Sequence, residues 1–151
     1  MTYELIDVFI ITIPETFVTL LVVLQLLDRK LNLKKILVAS VLQGFATFVI
    51  RQIHIYSLLH SILQIFMCIL IVAYLFKIDF KLVFVALVIT VVVYGFIEQL
   101  SIYLVLKVLH KTLSEVMNNQ LWEFVVFVPQ LLYMVIIYFI LRRFNITITS
   151  A

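Results

Sequence analysis

The residues able to do chemistry are few, and most of them stand inside apolar sequence. Glu15 and Glu98 each interrupt a long hydrophobic run, Arg51, His54 and His60 share the stretch RQIHIYSLLH, and Gln64, Cys68 and Tyr94 follow within apolar segments. A carboxylate in a hydrocarbon environment is costly and normally faces a partner or a cavity. Glu15 and Glu98 are therefore read as site residues. The glutamines Gln43 and Gln130 are read as interhelical glue, because such hydrogen bonds are worth only about 0.6 to 2 kcal/mol. Tyr94, Glu98 and Ser101 recur at helical spacing and are expected on one face, and Gln64 follows His60 at i+4.

Catalytic patterns are weak. A metal site could draw on His54, His60, His110 and a glutamate, but His54 and His60 are six apart, which does not align two ligands on one helix. A membrane cysteine peptidase could pair His60 with Cys68, yet at i+8 they lie about 12 Å apart along a helix. Cys68, between Met67 and Ile69, reads as core. There is no phosphate loop, nucleotide motif or Ser-His-Asp arrangement. The expectation is a non-enzymatic protein with no metal and no cofactor.

The elements that must position these residues follow from composition. The chain has 151 residues, 66% hydrophobic, with a mean hydropathy of +1.26, two Gly and two Pro. Nothing soluble hides that much apolar surface. The class is all-α: a polytopic membrane helix bundle forming a single domain over 1–151. Five spans are expected, at about 5–27, 36–53, 58–76, 82–106 and 121–141, since a bilayer core needs about 20 apolar residues in a helix. Short links make consecutive helices antiparallel neighbours. A lone cysteine excludes an internal disulfide. The acidic start MTYELIDVF has no basic region of the signal-peptide kind, so the first span is expected to stay.

Charge sets the expected orientation. Arg29, Lys30, Lys34 and Lys35, then Lys77 and Lys81, then Arg142 and Arg143 fall on one side, against Arg51, Lys107 and Lys111 on the other. This puts the N-terminus outside and the C-terminus in the cytoplasm. The cations mark lipid headgroups, not nucleic acid. Splitting the fourth run into two helices would break the agreement. RQIHIYSLLH becomes an external turn, where Arg51 and the imidazoles either meet headgroups and water or edge a site. Glu15 then lies about 15 Å below the outer end of its helix. An outward pocket is expected, with Arg51 and His60 at the rim, Glu98 on the wall and Glu15 at the floor. Between the last two spans, Thr112 and Glu115 have capping-box spacing. A short surface helix is expected over 113–117, with Trp122 at the interface.

At these residues the chain resembles the N-terminal membrane sensor region of Gram-positive histidine kinases of the accessory-gene-regulator (GHKL) type. The likeness rests on Ile13-Pro14-Glu15 in the first span, the basic link DRKLNLKK, Arg51 closing the second span, His60 opening the third, Glu98 in the fourth, and Leu113-Ser114-Glu115 before the last. The resemblance implies a module in the bacterial cytoplasmic membrane that binds an extracellular peptide or small molecule, as in quorum sensing. It would pass a change to a signalling partner or through a homodimer. Only FNITITSA follows Arg143, without a phosphoacceptor helix or ATP-binding domain, so output is expected through a partner, or the chain is part of a longer sensor. The expected ligand-binding set is Glu15, Arg51, His60, Gln64, Tyr94 and Glu98. The alternative is the substrate-binding membrane subunit of a small-molecule transporter. That reading requires polar groups along the whole path, whereas CILIVAYLF and LVFVALVIT are almost free of them.

Overall fold

A computed structural model describes residues 8–53, 57–110, 112 and 120–148. Among them there are helices and no strand. A π-helical turn, Val8–Thr12, leads into α1 (Ile13–Leu26). Then come α2 (Leu33–Gln52), α3 (Ser57–Phe76), α4 (Phe80–Leu109) and α5 (Gln120–Arg143). Five helices are long and apolar enough to cross a membrane, with spans close to those expected. The 30 residues of α4 form one unbroken helix. At 1.5 Å per residue it is about 45 Å long, so it must tilt or project beyond a hydrocarbon layer of about 30 Å.

Local sequence explains the helix ends. The Asn32 side chain accepts from the Lys35 backbone N–H at 3.2 Å and caps α2, while Asp79 accepts from the Lys81 N–H at 2.8 Å and caps α4. Pro14 falls where the π-helical turn meets α1, and its missing N–H removes a bond that a continuous helix would make to the preceding turn. The wide turn of Val8–Thr12 lies immediately before it. Three helices end by a six-to-one backbone bond around a left-handed residue. Arg29 N–H reaches Leu24 O around Asp28, Ile78 N–H reaches Ala73 O around Lys77, and Ile146 N–H reaches Leu141 O around Asn145. Glycine usually fills such positions; here Asp, Lys and Asn do.

Consecutive helices pack on one another, α5 closes back on α1, and α1 also touches α4. All three tight helix ends, together with the α1–α2 and α3–α4 links, lie at one end of the bundle. Eight of the chain's eleven Lys and Arg residues fall there, so it is called the basic end, and the opposite end the far end. The apolar core fills the basic half: Leu20, Leu24 and Leu27 of α1 meet Ile36, Ile69, Val72, Val83, Leu87 and Met134. Cys68 belongs to it, as expected. After α5 the chain turns back, and Ile148 packs on this core and donates its N–H to Leu26 O at 2.7 Å.

Between Ile36 and Ile50 the α2 packing face consists of small or polar residues, with Ala39, Ser40, Gln43, Gly44 and Thr47 all buried. Small side chains let backbones approach closely, the main way helices associate where lipid is as apolar as the interior. Leu37, Phe45, Val49, Phe66, Tyr74 and Phe96 point outward and are exposed. Together they form the apolar exterior that a bilayer covers.

Candidate functional site

The polar side chains collect in the far half. Counting the helical rise from the basic end, Glu15 and Gln64 stand about 17 and 18 Å up, Gln130 and Tyr94 about 20 and 21 Å, His60 about 24 Å, and Arg51 and Glu98 about 27 Å. These depths bring five helices' worth of polar groups into one layer above the apolar core.

Within that layer the Tyr94 hydroxyl donates a hydrogen bond to the Glu15 carboxylate, joining α4 to α1 across the bundle. Both side chains are partly buried. Arg51 attracts and Glu98 repels the same carboxylate through space, and Glu98 also acts on Tyr94. Four of the six expected site residues, Glu15, Arg51, Tyr94 and Glu98, are thus electrostatically connected. His60 and Gln64 ride on α3, which packs against α2 and α4. The Gln64 carbonyl accepts from Gln43 Nε2 at 3.0 Å, an interhelical bond of the kind expected of the glutamines. His60 Nδ1 and the Gln43 Oε1 atom are buried without a hydrogen-bond partner among the described residues, as is Ser101 Oγ. Buried polar atoms of this kind ordinarily hold water or a ligand group.

The arrangement departs from the sequence reading in two places. Tyr94, Glu98 and Ser101 do not share one environment: Ser101 is buried, whereas Glu98 is exposed at the edge of the packed face. The reason is that the 40° step between positions i and i+4 carries Glu98 past the α4 contacts that cover Ile97 and Ser101. Among the described residues the deeper of the two carboxylates is Glu15, and its hydrogen-bond partner is Tyr94. Thr12 and Thr16, one turn apart and both buried, flank Glu15 on α1 and escaped the sequence reading. Their i, i+4 spacing around an acid within an apolar run was the available signal.

Two surface depressions stand out in the structure, and neither opens on Glu15. One lies at the basic end between α1, α2 and α3, and the other is a shallow apolar trough along the start of α4. His54, Lys111 and the 113–117 segment lie outside the described residues, as does the side chain of Trp122.

Fold and site together define a multi-pass helical membrane protein with an asymmetric interior, apolar at the basic end and polar at the far end. No protein-family model, curated protein or solved structure matches the chain.

Proposed function

We propose that this protein is a receptor-like membrane sensor module whose basic end is cytoplasmic and whose far half holds the ligand site, facing outward. The carrying observation is the Glu15–Tyr94 hydrogen bond between α1 and α4, in electrostatic reach of Arg51 and Glu98. A neutral phenol holding a deep carboxylate is a bond that a ligand can take over. An extracellular peptide or small molecule bringing an ammonium, guanidinium or amide N–H to Glu15 replaces Tyr94 as its partner and frees α1 from α4. That is a two-state contact whose equilibrium the ligand biases by its differential affinity. His60 and Gln64 supply further polar contacts from α3, and no group is asked to do covalent chemistry.

The far end of α1 then has a route to the cytoplasmic side. Leu26, at the last turn of α1, accepts the N–H of Ile148, so movement of α1 reaches the segment that follows α5. A signalling partner, or a second copy of the chain, would read that segment. The packed apolar core of the basic half favours a one-sided site over a transport path, because a transported solute would have to cross Leu24, Val72 and Leu87 without polar help.

The test is a thermal-shift screen of the purified protein in lipid nanodiscs against peptides and polar metabolites. A genuine ligand raises the unfolding temperature of the native chain, and Glu15→Gln and Tyr94→Phe change the size of that rise. A ligand whose shift is indifferent to both substitutions places the site elsewhere.

A further inference from the structure

The basic end carries a depression of about 520 Å³ lined by Asp28, Arg29, Lys30, Asn32, Lys35 and Phe76. Its construction follows from three helix ends. The left-handed turn at Asp28 ends α1 and sends Arg29 and Lys30 along one wall. The first turn of α2 forms the second wall. There the Asn32 side chain takes up the Lys35 backbone N–H, leaving the Leu33 and Lys34 N–H groups outside the helix's own ladder. The last turn of α3 gives the third wall, with the Phe76 ring as its apolar part.

Lys35 is held in place, since its Nζ donates to the Leu75 carbonyl at 3.3 Å. An ammonium has three donors, so two remain for another acceptor. Three cations against one carboxylate, together with the positive end of a helix, make a site for an anion. Its level in the protein decides which anion. α2 enters its apolar span at Leu33, one residue after Asn32, and Leu33 and Leu37 are exposed on its flank. The depression therefore sits where lipid phosphates lie, with an apolar ring inside it and an apolar helix face beside it. A soluble phosphate has no use for either.

We infer that this depression binds the phosphoryl headgroup of an anionic phospholipid. Arg29, Lys30 and Lys35 contact the phosphate oxygens, Asp28 accepts from a headgroup hydroxyl, and the acyl chains lie against Phe76 and the α2 flank. The inference is independent of the ligand site proposed in the far half.

The experiment titrates the full chain in mild detergent with fluorescent phosphatidylglycerol and, separately, phosphatidylcholine, with native mass spectrometry to count bound lipids. One phosphatidylglycerol should bind in preference to phosphatidylcholine. The triple variant Arg29→Gln/Lys30→Gln/Lys35→Gln should weaken it by about 100-fold, from three lost near-surface cations. The double variant Arg29→Gln/Lys30→Gln spares the Lys35–Leu75 contact and so separates binding from folding; it should lose about tenfold or more. The control Lys34→Gln/Lys77→Gln/Lys81→Gln removes the same charge from the same end at side chains that do not line the depression, so it reduces only the general surface attraction and should lose much less than the lining triple. Equal losses in the lining and control triples would reduce the effect to general surface charge and overturn the site. Equal affinity for both lipids would also overturn it, as would competition by millimolar inorganic phosphate alone, which would assign the depression to a soluble anion.

Discussion

The Tyr94 hydroxyl and the Glu15 carboxylate are hydrogen-bonded across α4 and α1, two helices that are not neighbours in sequence. This bond and the α1–α4 packing are made by the same pair of helices, so it reports directly on whether they are together. Glu15→Gln and Tyr94→Phe should each destabilise the bundle, and their effects should not add. Interhelical polar pairs in membranes couple by about 0.6 to 1.7 kcal/mol. A double-mutant cycle by reversible unfolding in mixed micelles measures it. Additivity within about 0.3 kcal/mol would show that the pair contributes nothing to α1–α4 packing.

Lys77 ends α3 in the left-handed region at φ 53° with its side chain exposed. A side chain there costs about 1 kcal/mol relative to glycine. Lys77→Gly should raise stability by about that amount, and Lys77→Val should lower it, since β-branching makes the conformation worse. The same unfolding assay reads both. A destabilised Lys77→Gly would mean that the lysine side chain makes a contact worth more than its backbone strain.

Gly44 is buried on the small-residue face of α2, between Gln43 and the exposed Phe45. Gly44→Leu should push neighbouring helices apart and cost at least about 2 kcal/mol by overpacking. Val49→Leu, on the outward face of the same helix, should change stability by less than about 0.5 kcal/mol. Comparable effects at both positions would contradict the assignment of the packing face.

Much of the architecture was legible in the sequence because hydrocarbon thickness is a length constraint. The spans, the antiparallel order, the unbroken fourth helix and the burial of Cys68 all follow from where apolar runs begin and end. Depth was legible for the same reason, which is why Glu15 could be placed about 15 Å below the outer end of its helix. Rotation and neighbour order were not. The Glu15–Tyr94 bond depends on α1 touching α4, and Glu98 lies exposed because of which residues of α4 face α5. Both are set by side-chain packing among five helices that are apolar on every side, so no amphipathic stripe announces them. The return of Ile148 onto Leu26 was equally silent, since the alternation in ITITS is a strand-like pattern too short to mark a docking segment.

Orientation rests on the charge split between the two ends. In a chain with Cys68 replaced by alanine, a cysteine at Asn32 should resist an impermeant thiol reagent in intact cells, and a reporter fused after Arg143 should read cytoplasmic. Labelling at Asn32 from outside would reverse the topology and put the polar half on the cytoplasmic face.

For the ligand site to lie in the far half, that half must be a polar layer that outside water and ligands enter, above a sealed apolar core. Cysteine accessibility in intact cells tests this most directly, with single cysteines at His60, Tyr94 and Glu98 compared with Val72 and Ala86 in the same Cys68→Ala background. Val72 and Ala86 are fully buried in the basic half. The predicted result is labelling by an impermeant thiol reagent at His60, Tyr94 and Glu98, with none at Val72 or Ala86. Labelling confined to Glu98, with His60 and Tyr94 as inert as Val72, would contradict it and make the Glu15–Tyr94 pair a sealed helix contact instead of a site.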